Sequence, residues 1–196
     1  MPKPAKAKPA RKAVPVFFVE ATGEGVVWNT YSCGCGRRAK VRVGRFAEAD
    51  RPEGHWGTVI PCPDCGGIAR MSSQAWDTIW RHSGGAEINP DGGNLPAGAC
   101  YAMAPDRMWR AGPDGRELVV VLPDGVHWHI DSRASNCKLP DHEAHYCWAR
   151  TGRPEDGTLD VRKGDPRDAG GGSIRTGRYH GHLRNGQLVP CGDSQT

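Results

Sequence analysis

Two pairs of cysteines are the residues of this chain best placed to do chemistry: Cys33-Gly-Cys35-Gly36 and Cys62-Pro-Asp-Cys65-Gly-Gly67. Four thiolates converging tetrahedrally, each about 2.3 Å from the ion, make a structural zinc site. The flanking glycines allow turns tight enough to aim backbone N–H groups at sulfur. Cys62 and Cys65 have the usual two-residue spacing. Cys33 and Cys35 are one residue apart, which leaves open a variant in which only one of them ligates. The plainer alternative is four partly buried thiols, since cysteine packs well without metal. Zinc on Cys33, Cys35, Cys62 and Cys65 is the expectation, and such a site is scaffold rather than activity. Pro61-Cys62-Pro-Asp-Cys65 also matches half of the zinc-deaminase signature. The His-x-Glu half is missing, because Trp56 and Gly57 follow His55 and no general acid/base stands there.

A second concentration of donors runs from His127 to Trp148, with four of the eight histidines and two of the eight cysteines. His127, His129 and Asp131 alternate along an expected strand and so share one face. His-x-His-x-Asp also opens the metallo-β-lactamase-type metal motif, but that motif needs a histidine directly after the aspartate, and here Ser132 follows. His180 and His182 form another same-face pair that could complete such a site, so a metal-dependent hydrolase stays as one reading. Cys137, His142, His145 and Cys147 could instead close one tetrahedron that fastens a loop to a sheet. A narrower version takes Cys137, His145 and Cys147, with His129 or Cys191 as the fourth ligand. A second zinc site in this stretch is therefore a further expectation, against buried cysteines and an exposed polar strand face.

The blocks WHIDSRASNC (128–137), HYCW (145–148) and GGSI (171–174) resemble a family of small uncharacterised Cys/His-rich proteins of actinobacterial tailed phages and bacteria. The resemblance covers roughly residues 116–174 and, less closely, the upstream cysteine pairs. It implies a metal-linked β domain, with phage origin as part of that expectation, and it carries no activity. Members have a cysteine shortly before the Gly-Ser-Ile block; residues 164–172 here contain none.

The elements that must position these residues read as short strands. Val16–Glu20, Gly25–Tyr31, Ala39–Phe46 and His55–Ile60 are rich in β-branched and aromatic residues, with turn residues between them. Val41 and Val43 alternate with Arg42, near Lys40 and Arg45, which predicts one buried and one basic face. Met71–His82 reads as a helix, with Ser72 or Ser73 to cap it and Trp76, Ile79 and Trp80 at i, i+3 and i+4. Its tryptophans are expected as core. Beyond residues 87–98, a loop, the pattern is hairpins: 99–104, 107–110, 116–122 and 126–131, with Pro-Asp-Gly turns at 113–115 and 123–125. Val119–Leu122 is the expected central strand. Thr158–Val161, the flexible segment 162–172 and an Asn185-Gly186 hairpin complete the chain.

The fold class expected is therefore mainly β: a zinc-ribbon-like N-terminal half, one short helix, and a hairpin-built β C-terminal half. The divisions are a disordered basic arm (1–15), a zinc-ribbon-like domain with the helix (16–86) and a β-rich His/Cys domain (99–196). The net charge of +4 is uneven, since five cations and no acid fall within residues 1–14, leaving the remainder at −1. Any attraction to polyanions starts in that arm. No apolar run approaches the ~20 residues of a membrane span, and the N-terminus lacks the apolar segment of a secretory signal. A reducing compartment follows, cytoplasmic or that of an infected host, with a virion-associated role as the variant. The functional expectation is a non-enzymatic zinc-binding accessory protein that contacts nucleic acid through ribbon and arm. The alternatives are a protein-binding or virion-associated structural protein stapled by zinc, and the hydrolase built on His127, His129 and Asp131.

Overall fold

The computed structural model describes residues 11–83, 85–140, 146–164 and 172–196. The strands are β1 (Val14–Pro15), β2 (Phe17–Cys33), β3 (Arg38–Ala47), β4 (Val59–Pro61), β5 (Ile68–His82), β6 (Ala99–Ala102) and β7 (Leu118–Val121). After them come β8 (His127–His129), β9 (Trp148–Thr151), β10 (Asp160–Lys163), β11 (Ile174–Arg175), β12 (His180–Arg184) and β13 (Gln187–Pro190). Among the described residues the only helical elements are three-residue 3-10 turns, so the mainly-β expectation holds. The chain folds as two compact units, one of residues 20–94 and one of residues up to Val19 together with Leu95–Thr196.

In the unit of residues 20–94, β4, β5, β2 and β3 lie side by side in that order. β2 and β3 form one antiparallel hairpin, with Tyr31 opposite Ala39 and Trp28 opposite Arg42. β4 and β5 form the other, with Ile60 opposite Ala69. Tyr31, Cys62, Ala69 and Met71 make a small core beside the turns of these hairpins, with Cys33 and Ile60 packed against it.

Met71–His82 belongs to β5, so the predicted helix is overturned. Ala69, Met71 and Ile79 are its buried positions, and all are odd-numbered. That is the period of a pleated strand with one buried face. The polar partners fit as well: Ser32 Oγ meets Ser72 Oγ at 2.9 Å, and Gln74 donates to Asn29 Oδ1 at 3.1 Å. Trp76 lies over Gly25, where a Cβ would come within 2.3 Å of its ring. β3 carries its basic face as expected, but Val41 and Val43 on the other face are exposed rather than buried.

The other unit is built from two small sheets and a hairpin. β6, β7 and β8 pair antiparallel, and the first residues of β2 join parallel to β6, with Phe18 beside Cys100. All four residues of β7 are buried, as the run Val119–Leu122 suggested. β11, β12 and β13 form an antiparallel meander that β1 extends, pairing Val14 with Leu188. β9 and β10 pair separately. Val120, Leu122, Ile130, Trp148, Leu159, Tyr179 and Leu188 bring these sheets onto one apolar core. Of Arg107–Arg110, read as a strand, Arg107 ends a 3-10 turn that begins at Pro105, and 108–110 are not a strand. Residues 14–19, divided by the sequence between arm and ribbon, pack with this unit. Of the expected arm, residues 1–10 lie outside the described residues, as do 165–171 of the segment expected to be flexible.

Candidate metal centre

The two hairpins of residues 20–94 end in the two cysteine pairs. At the tip of the β2–β3 hairpin, Gly36 N–H donates to the Cys33 carbonyl at 3.0 Å and Cys33 N–H to the Arg37 carbonyl at 2.9 Å. The same pattern closes both Pro-Asp-Gly turns, from Gly115 to Gly112 and from Gly125 to Leu122. It is a three-residue hairpin loop closed by a glycine in the left-handed region. At the β4–β5 tip, Gly66 N–H donates to Cys62 O at 2.9 Å and Cys62 N–H to Gly67 O at 2.7 Å. That loop is one residue longer. The difference explains the unequal spacing: in each loop the second cysteine directly precedes a glycine with φ near +85° (Gly36) or +70° (Gly66). A side chain there would be strained.

Because the hairpins are neighbours in one sheet, their tips bring the four sulfurs together. Cys33 Sγ is 3.6 Å from Cys65 Sγ, and Cys35 Sγ is 3.8 Å from Cys62 Sγ. All four lie within 4.8 Å of one another. Tetrahedral bonds of about 2.3 Å to zinc would put the sulfurs roughly 3.8 Å apart. A disulfide would need about 2.05 Å. Both Cys33 and Cys35 belong to the cluster, so the open question about the one-residue spacing resolves toward a four-sulfur group.

The backbone prepares these sulfurs for charge. N–H groups of Asp64 and Cys65 point at Cys62 and, against its burial, lower its thiol pKa to about 7. The Gly67 N–H likewise favours ionised Cys65, but the thiols of Cys35, Cys33 and Cys62 outweigh it and push that pKa up to about 12. The Cys35 N–H lowers and its thiol raises the pKa of Cys33, for a net rise. So Cys62 ionises more readily than a free thiol, while Cys33 and Cys65 resist. A coordinated dication removes that conflict, since bound thiols ionise outright. The donor set fits a metal ion.

The stretch from His127 to Trp148 does not gather in this way. His127 Nδ1 is 2.9 Å from the Tyr101 hydroxyl. His129 Nδ1 is 2.6 Å from Glu117 Oε1, and its ring is tilted against Trp109. Asp131, two residues on, is buried: Oδ2 accepts from Leu118 N–H at 3.0 Å and Oδ1 from Arg150 Nε at 2.8 Å. The three donors of the His-x-His-x-Asp pattern are each committed to a different partner. Cys147 is buried in the core of this unit and Cys137 packs against it. His142 and His145 lie outside the described residues. Among the described residues, His129, Cys137 and Cys147 do not join into a ligand group.

Two features escaped the sequence. His180, Cys191 and Asp193 bring one ligand atom each within 4.8 Å of the others. Residues from 128–136, Trp148 and 173–174 also converge: Trp128, Ser135, Asn136, Trp148, Ser173 and Ile174 line one cavity of about 360 Å³. Trp128 and Trp148 meet there edge to face at 5.1 Å. No family model, no curated protein and no solved structure matches the chain.

Proposed function

We propose that this chain is a non-enzymatic, zinc-stapled β protein whose unit of residues 20–94 binds nucleic acid. The observation that carries the proposal is the four-sulfur cluster at two adjoining hairpin tips, with S···S distances of 3.6 and 3.8 Å. Zinc is the ion that four thiolates in a closed tetrahedron suit best. A closed site has no position for substrate, which supports a scaffold role. What the scaffold presents is the outer face of β3. Arg38, Lys40 and Arg42 stand on one side of the sheet, opposite Ser32, Thr30 and Trp28. Lys40 Nζ lies 4.6 Å above the Trp28 ring. The acidic partners on this face are a half-buried Asp77, 3.8 Å from Lys40, and an exposed Asp91, 3.3 Å from Arg42. Such pairs contribute roughly 0–1 kcal/mol, so phosphates can replace the carboxylates. Cations beside an aromatic ring suit a single strand.

Anisotropy of a labelled single-stranded oligonucleotide tests this reading. Affinity falls with salt at a slope of about −0.7 per phosphate contacted, and charge removal at Arg38, Lys40 and Arg42 makes the slope shallower. A triple Ala variant that binds with unchanged affinity and slope rules out the β3 face. Val41 and Val43, exposed on the opposite face of β3, favour a second reading, a protein-binding module stapled by zinc. It predicts no salt-dependent oligonucleotide binding.

A further inference from the structure

We infer that His180, Cys191 and Asp193 form a second metal site, open and exchangeable, for a divalent transition ion such as zinc or cobalt. The backbone alone brings the donors together. The pairing of Gly181 with Pro190 continues by one step, so that His180 stands across from Cys191, and Cys191 N–H donates to His180 O at 2.7 Å. Residues directly opposite in an antiparallel pair share a face. A turn then carries the chain back, closed by Ser194 N–H on Cys191 O at 3.1 Å. Cys191-Gly192-Asp193 thus repeats the layout of Cys33-Gly34-Cys35, where Gly36 N–H donates to Cys33 O at 3.0 Å. In both, donors at i and i+2 project from a turn that follows a strand.

The donor set is imidazole nitrogen, thiolate sulfur and carboxylate oxygen, which zinc accepts together. Asp193 is held in place: Arg175 Nη2 is 2.9 Å from Oδ2, while Oδ1 is 2.5 Å from His180 Nδ1. The same Arg175 nitrogen is 3.2 Å from His180 Nδ1. Two donors on one tetrahedral ion, with bonds of about 2.0–2.1 Å, sit roughly 3.3 Å apart. The exposed Asp193 turn therefore opens by a little under ~1 Å when the ion enters. Three protein donors leave a coordination position for water or an outside ligand, unlike the closed four-sulfur cluster. The site is independent of the zinc-staple reading, since it shares no ligand with it.

Cobalt(II) titration of the full-length reduced protein, read by absorbance and by bound-metal content, tests the site. The unaltered chain is compared with Cys191→Ser and Asp193→Asn. Cys191→Ser is expected to bind one equivalent fewer, with the four-thiolate charge-transfer band retained. Asp193→Asn, an isosteric substitution in an exposed turn, is expected to weaken the last equivalent at least tenfold. The comparison is between variants, so any metal held elsewhere cancels. Equal stoichiometry and equal affinity across the three proteins would overturn the inference, and Asp193→Asn decides it alone if Cys191→Ser does not fold.

Discussion

Arg150 Nε donates to Asp131 Oδ1 at 2.8 Å, and both side chains are only 4% exposed. This ion pair fixes the end of the His127–Asp131 stretch, because the other carboxylate oxygen accepts the Leu118 N–H of β7. Arg150 reaches further, to Asp114 at 2.5 Å and to the Arg116 carbonyl at 2.9 Å. The aspartate that looked like a metal ligand is thus the buried anchor of a network, centred on Arg150, that joins β7, β9 and the turn at Gly112–Gly115. Removing one partner from a buried pair leaves an uncompensated charge. Asp131→Ala should cost about 3–5 kcal/mol, read by urea denaturation followed through tryptophan fluorescence. Gly112→Ala should damage the same pair by steric clash, since its Cβ would come within 2.3 Å of both Arg150 Nη2 and Asp131 Oδ1. A loss below ~1 kcal/mol in Asp131→Ala, the scale of an exposed pair, would contradict the network's role.

Acid should undo this unit through its carboxylates. Burial disfavours the charge on Glu117, but hydrogen bonds from His129 and from the Trp109 and Arg110 N–H groups outweigh it and lower the pKa. Asp124 behaves alike, with burial opposed by the Thr176 hydroxyl and the Val126, Arg178 and Tyr179 N–H groups. A group whose folded pKa is depressed adds stability above its unfolded pKa, roughly 4 for these carboxylates. That stability is lost as pH falls through the folded value. Denaturation midpoints should therefore be level near neutrality and fall steeply below about pH 4. Glu117→Gln should flatten part of that fall; an unchanged acid limb would count against the assignment.

The glycines of the first cysteine turn should differ sharply. Gly36 has φ near +85°, whereas Gly34 has open space and no such backbone strain. An L-residue in the left-handed region costs about 1–2 kcal/mol. Gly36→Ala should then weaken zinc affinity about tenfold, one decade per 1.4 kcal/mol, with Gly34→Ala near neutral. Competition with a chromophoric chelator measures both, and equal affinities would show that the turn does not set the site.

The cysteine cluster was legible because each pair is local: two donors, a glycine after the second, and a strand on either side. What the sequence could not give was the loop geometry that makes one intervening residue equivalent to two. The misread helix has a specific cause. Trp76 and Trp80 are four apart, and both a helix and a strand put such residues on one side. Ile79 decides the matter, and only its shared burial with Met71 and Ala69 reveals the two-residue period. The shared face of His127, His129 and Asp131 was readable from alternation, but the partners that claim them were not. Arg150 is 19 residues from Asp131 and Glu117 is 12 from His129. His180 and Cys191 were read as ligands of other sites, and their grouping with Asp193 was missed, because the register of β12 on β13 and the turn after it must both be known before the three meet.

The central claim is that Cys33, Cys35, Cys62 and Cys65 share one zinc ion. Crystals of the protein purified in zinc, with diffraction recorded on both sides of the zinc absorption edge, test it most directly. The account predicts an anomalous peak about 2.3 Å from all four sulfurs in tetrahedral array. Disulfides joining Cys33 to Cys65 and Cys35 to Cys62, or an ordered cluster without the peak, would contradict it.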